Sequence, residues 1–201
     1  MALYSVYTDT KTYRYIGFDS KQSREMFGKN IHDQFDVNFE AKPYADKWKS
    51  PFNVDFSDDG SSFHGDIMPD ISEHNGRLFL SPKAYDVLKP LIENDGEFLP
   101  VTYNEETGYM FNPLSIAETV DGIDETLTQK NEWGDLVNLA FYEDKVKKFA
   151  VFRTNVDDHM SAFCQQSVKD AIENSDLKGV FFTVDLGNRY TQEQASKQQN
   201  G

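Results

Sequence analysis

The chain has one cysteine, four histidines and no long apolar run in its 201 residues. A lone cysteine, Cys164, cannot close an internal disulfide, which fits a reducing compartment and a buried packing role. Nothing approaches the roughly 20 consecutive apolar residues of a membrane helix. The start, Met1-Ala-Leu-Tyr-Ser-Val-Tyr-Thr8, lacks the basic residues and apolar core of a secretory signal. A cytoplasmic protein without membrane contact is the expectation. Catalytic signatures are missing too: there is no P-loop, no G-x-S-x-G elbow, no G-x-G-x-x-G and no H-E-x-x-H. His32, His64, His74 and His159 are scattered. Cys164 follows His159 by five residues, but a working Cys–His pair needs spatial reach and a lowered thiol pKa. Across an expected helix start the two do not face each other. No catalytic residue and no cofactor are assigned.

Basic residues are scarce as well, with 20 Lys/Arg against 34 Asp/Glu and a net charge of −14. Residues 1–50 carry +1, 51–100 carry −7, 101–150 carry −6, and the remainder −2. Such a middle half repels nucleic acid and steers basic proteins inward. Arg14 between Tyr13 and Tyr15, and Lys47 and Lys49 around Trp48, show the basic–aromatic interleaving that binds single strands. With a local charge of only +1, nucleic acid is not the expected partner.

One stretch has metal-ligand spacing. Asp55 to Asp66 puts oxygen side chains at positions 1, 3, 5 and 12 of a calcium-type loop (Asp55, Ser57, Asp59, Asp66) with Gly60 at position 6. Ser62 stands where an apolar residue belongs, Asp66 is shorter than the usual bidentate Glu, and Pro51 and Pro69 flank it instead of helices. A solvated acidic turn is the stronger reading, so no metal is assigned.

The best-marked local structure is Leu78–Pro100: a strand, a helix opened by Ser81 and Pro82, and a second strand. Ala84, Leu88, Leu91 and Ile92 share a helical face. Gly96 is expected as a left-handed cap, and Pro90 as a kink or a break into two helices. Elsewhere, alternation predicts a hairpin of Leu3–Thr8 with Tyr13–Phe18 and a short helix over Ser20–Gly28. A further hairpin is predicted around Asn104–Gly108. Ser115–Glu118 reads as a capping box, and residues 121–135 as a polar surface connection. Leu136–Tyr142 with Lys147–Thr154 reads as another hairpin, Met160–Asn174 as a helix, and Val180–Val184 as a strand. The fold class is α+β, antiparallel hairpins in one or two sheets with two main helices packed against them. Residues 1–68 are an N-terminal hairpin and irregular region packed into the same domain, 69–190 the core, and 191–201 a flexible tail.

Pro69-Asp-Ile71, Leu78-Phe-Leu-Ser-Pro-Lys-Ala-Tyr-Asp-Val-Leu88, Glu97-Phe-Leu-Pro-Val101, Val151-Phe-Arg-Thr154 and Asp176-Leu-Lys-Gly-Val-Phe-Phe182 together resemble a bacterial family. It is the family of immunity proteins first named for a myxobacterial member, formerly a domain of unknown function. The resemblance covers 69–184 in order, and 1–68 only loosely. It implies a protein that binds a cognate secreted toxin, expected to be basic, and occludes its active site. A nuclease or other cytoplasm-acting enzyme is the first expectation for that toxin. The acids expected to face it are Asp58, Asp59, Glu105, Glu106, Asp121, Asp124, Glu125, Asp157 and Asp158. Rival readings are a hydrolase with an unrecognised acid–base or metal site, and a calcium-binding structural module.

Overall fold

A computed structural model describes residues 2–56 and 65–187. Its strands form a four-stranded sheet, a six-stranded sheet and a two-stranded ribbon. The smaller main sheet runs β10 (Val151–Phe152), β11 (Ala162–Gln165), β1 (Leu3–Thr8), β12 (Val180–Thr183), all antiparallel. The larger runs β2 (Gly17–Phe18), β3 (Phe52–Asp55), β6 (Gly96–Tyr103), β7 (Glu106–Pro113), β5 (Arg77–Leu80), β4 (Ile71–His74). Only the β3–β6 pair in it is parallel. This is the α+β architecture expected, with helices packed on mostly antiparallel sheets.

Helix α2 (Pro82–Ile92) begins as its sequence predicts: Ser81 Oγ accepts from the Ala84 N–H at 3.2 Å, and Pro82 occupies the first turn. Pro90 does not divide it. Lying in the last turn, it costs one backbone bond near an end that is already fraying. Gly96 is not a left-handed cap but the first residue of β6. Its need for glycine is close approach, since a Cβ there would lie 2.3 Å from the Asn112 carbonyl oxygen. Ala84, Leu88 and Ile92 are buried, and they meet Val168 and Ile172 of α4 (Gln166–Asn174) between the two sheets. Leu91, placed on that face from the sequence, is 39% exposed.

The larger sheet has a second covered side. In β5 all four residues are buried, and the two-residue period sends Leu78 and Leu80 toward α2 while Phe79 joins an aromatic cluster opposite. Phe56 and Tyr103 pack edge-on to Phe79, and Phe27 of α1 (Ser20–Phe27), Phe35, Tyr44 and Phe52 belong to the same cluster. Residues 16–56 thus pack their rings directly on the sheet.

Several sequence expectations are corrected. Leu3–Thr8 is a strand, but Tyr13–Phe18 does not pair with it. β1 lies between β11 and β12, while Gly17–Phe18 pairs with β3. Helix α4 starts at Gln166, because Ala162–Gln165 is a fully buried strand whose alternate sides enter two different cores. Ser115 and Glu118 form no capping box: the Ser115 hydroxyl bonds Asp95 and the Glu118 carboxylate reaches another loop. Leu136–Tyr142 and Lys147–Thr154 are not one hairpin. Between them sits the short helix α3 (Glu143–Val146), β9 (Leu136–Asn138) pairs with β8 (Gln129–Lys130), and β10 pairs with β11. Local alternation was present in each case, but long-range partners decided the pairing.

Candidate functional site

The two-residue period that buries Phe79 also turns Arg77 toward the aromatic side of the sheet. Arg77 and Arg153 are both 0% exposed. The Arg77 guanidinium stacks on Phe35, 4.4 Å from the ring centre, and donates to the Asn38 carbonyl at 2.6 Å. Asn112 joins the two arginines. Its Oδ1 accepts from Arg77 Nε at 3.2 Å and from Arg153 Nη2 at 3.1 Å, and Arg153 also bonds the Pro113 carbonyl. The Asn112 amide donates to Glu97 Oε1 at 2.7 Å and to the Lys42 carbonyl at 2.9 Å. Burial pushes the Arg77 pKa down to about 10 and that of Arg153 to about 9, the latter also through repulsion by Arg77. Both remain cations at neutral pH.

Arg153 leads directly into an outward loop, 154–160. The Glu118 carboxylate holds its base, accepting from Thr154 Oγ1 at 2.6 Å and Asn155 N at 2.9 Å. Its crest, Asp158 and His159, has two successive left-handed residues (φ 56° and 60°). Such a pair is uncommon outside glycine and needs support from its surroundings. Gly76 supplies some of that support. It sits in the tight β4–β5 turn with φ +74°, and a Cβ there would lie 2.3 Å from the His159 carbonyl oxygen.

Two clefts meet at Asp158, and a third, of about 540 Å³, reaches His159 from Glu40 and Glu118. The first, of about 410 Å³, is lined by Ile31, Val37, Phe39, Glu40, Asp158 and His159, among others. Ile31, Val37 and Phe39 are 57%, 38% and 36% exposed. The second, of about 440 Å³, lies between the loop and the β8–β9 ribbon, with Tyr7, Asp135, Leu136, Asp157 and Asp158 in its wall. Asp158 belongs to both. A larger cleft of about 730 Å³ is bounded by Leu3, Leu139, Phe141 and Val184, with Glu143 and Asp185 as its ionisable groups.

The expected acids are therefore scattered. Asp157 and Asp158 share the loop, but the Asp157 carboxylate is buried and its charge acts on Arg153. Asp158 is exposed. Asp121 ends the 3-10 turn Ala117–Val120, on the same short segment as Glu118. Asp124 is committed to its own turn: the Thr126 hydroxyl and the Thr126 and Leu127 amides donate to it, holding its carboxyl below the usual range. Glu125 is exposed beside it. Glu105 and Glu106 stand at the β6–β7 turn, whereas Asn112 and Arg153 lie toward the other end of β7. At about 3.4 Å per residue that is roughly 20 Å away. Asp58, Asp59 and Ser57 lie outside the described residues, so the calcium-loop candidate is represented by its ends, Asp55 and Asp66. Sequence reasoning missed Glu40 and Asp135 as cleft acids.

Among the described residues no three His, Cys, Asp or Glu side chains are grouped to hold a metal ion. Cys164 is 0% exposed on β11, and burial pushes its thiol far up, away from thiolate. His74 is partly buried, with Tyr15 Oη 2.9 Å from Nδ1 and the Asp36 carbonyl 3.2 Å from Nε2. Burial lowers its pKa, and burial together with Arg153 lowers that of His159. Below pH about 6.5 the unfolded chain takes up these protons more readily than the folded one. Their contribution to stability is therefore full above that pH and is lost as pH falls below it. Urea midpoints should show this loss, and His74→Gln should reduce it. An identical pH profile in the variant would remove His74 as a cause.

A family model described as an immunity protein family (Imm11) matches residues 16–185. The chain belongs to the Imm11 family of immunity proteins. The Imm11 match includes α1, β3 and the aromatic cover as well as the core, a wider span than the 69–184 of the sequence resemblance. It also contains the loop 154–160 and the whole lining of the cleft at Ile31, Val37 and Phe39, while the cleft at the β8–β9 ribbon also draws on Tyr7, Leu186 and Gly187 outside it. No curated protein matches the chain. Membership implies a toxin as partner. Among the described residues no helix is long and apolar enough to cross a membrane.

Proposed function

We propose that this Imm11 protein binds a cognate toxin domain and neutralises it by covering its active site. Family membership carries the proposal. The toxin is a basic enzyme that acts in the cytoplasm, with a nuclease as the first candidate. The net charge of −14 supports that choice, because an acidic inhibitor is drawn quickly to a cationic cleft. The crest at Asp158 gives a contact surface of mixed character, with exposed apolar side chains on one side and carboxylates at Glu40 and Asp135. Expression of the toxin encoded by the adjacent gene should arrest growth, and co-expression of this chain should restore it. Failure of rescue, with no complex on gel filtration, would refute the reading.

Steering makes a separate prediction. Glu40→Gln with Asp158→Asn removes two exposed charges while keeping a residue type that tolerates the left-handed crest. Stopped-flow association with the toxin domain should slow by about 3- to 10-fold at low salt, and its salt dependence should flatten. An unchanged rate would mean that these carboxylates do not guide the encounter.

A further inference from the structure

We infer that the β8–β9 hairpin is the element that docks on the toxin, with Trp133 inserted into a pocket rimmed by lysine or arginine. The inference rests on the immunity reading and names the contact within it.

The tip of this hairpin is held in one shape by a single side chain. Asn131 Oδ1 accepts from the Trp133 and Asp135 amides at 3.0 and 2.8 Å, and its Nδ2 donates to Asp135 Oδ2 at 2.9 Å. Backbone bonds between Asn131 and Asp135 and from Gly134 to Asn131 close the same turn, with Gly134 at φ +88°. This rigid tip presents Trp133 at 79% exposure. The other tryptophan, Trp48, packs against the aromatic cluster and donates its indole N–H to the Pro100 carbonyl. Trp133 thus leaves a large apolar ring in water on a preorganised support. Leu127 and Val137 on the same lobe are 55% and 49% exposed.

An exposed tryptophan is among the residue types that most often dominate a protein interface, and here the backbone that carries it is already ordered before binding. Charge identifies the occupant. Asp121, Asp124, Glu125, Glu132 and Asp135 surround the hairpin in sequence against the single Lys130. A partner pocket must therefore be cationic at its rim, and a lysine or arginine there also gains from the indole face. The hairpin adjoins the Asp158 crest through the cleft they share. A stable interface needs roughly 800 Å² per partner, so the hairpin is expected to dock together with the adjoining crest.

The test uses the full chain and the catalytically silenced toxin domain encoded by the adjacent gene. Trp133→Ala should weaken the measured Kd by about 100-fold or more, with an unchanged urea midpoint because the ring is exposed. Glu132→Lys should weaken it by about 10-fold, mainly through association rate. Independently, the native chain labelled with 5-fluorotryptophan should shift its Trp133 resonance on complex formation. A Trp133→Ala Kd within about threefold of the unsubstituted chain, or an unmoved Trp133 resonance in the complex, would overturn the hairpin as docking element while leaving immunity intact. Absence of binding by the unsubstituted chain would overturn both.

Discussion

Replacing Asn112 with alanine is expected to lower stability by about 3–5 kcal/mol, the range for removing one partner of a buried charged network. For a chain of this size that is a fall of about 10 °C in thermal midpoint. The reason lies in the number of groups that depend on one amide. Asn112 accepts from both buried guanidinium groups and donates to Glu97 and the Lys42 carbonyl. Without it, two cations lose the acceptor they share, and Glu97 loses a donor. Glu97 in turn accepts from the Tyr44 and Ala45 amides, so the aromatic cover loosens as well. Asn112→Leu separates the causes, since it restores volume without restoring any hydrogen bond. Chemical denaturation should find it nearly as damaging as alanine. A leucine variant close to the unsubstituted protein would mean that packing, not the polar junction, matters at this position.

Gly76→Ala should have the second large effect, about 2–4 kcal/mol, and it should reach the contact face. The new methyl meets the His159 carbonyl at 2.3 Å and Arg153 Cδ at 2.7 Å, in a backbone region unfavourable for alanine by about 1 kcal/mol or more. The side chain of Arg153 has no room to retreat, so the loop crest must move. Lower denaturation midpoints should accompany weaker toxin binding, even though Gly76 itself is buried. A destabilised variant with unchanged affinity would place the contact away from Asp158.

Much of the fold was readable where a signal was purely local. Ser81-Pro82 opened a helix, and Ser20–Phe27 ended at Gly28 in the left-handed half of backbone space (φ +95°). The β6–β7 turn was placed correctly at its start, but Glu106–Gly108, read as loop, already belong to β7. Its central pair is Asn104-Glu105, both at positive φ, which is the hairpin geometry that matches strand twist. Asn75-Gly76 is an equally strong turn signature, but it sits between short strands in a proline-punctuated region and alternation passes over it. Pairing was not local: β1 looks like half of a hairpin, yet its neighbours come from residues 162–165 and 180–183.

The candidate site was less legible than the fold. Arg77 and Arg153 look like ordinary surface arginines in sequence. Only the burial of all of β5, together with Asn112 two strand positions beyond Met110, shows that they meet. An acid count could not separate Asp124, spent on its own turn, from Asp158, which is exposed between two clefts. Trp133 lay in a stretch read as a polar connection, and the clue there was Asn131 ahead of Gly134 around an unpaired bulky ring.

The position of β1 also governs when the smaller sheet can form. Leu3 lies opposite Gln165 and Ser5 opposite Thr183, so β1 gains its sheet partners only once the chain has been made as far as β11 and β12. Contacts that distant in sequence form slowly, because a long loop must close before any pairing energy is gained. A nascent or truncated chain ending before β11 has no smaller sheet at all. On the toxin-binding proposal, inhibitor expressed ahead of the toxin domain should therefore protect better than inhibitor induced together with it.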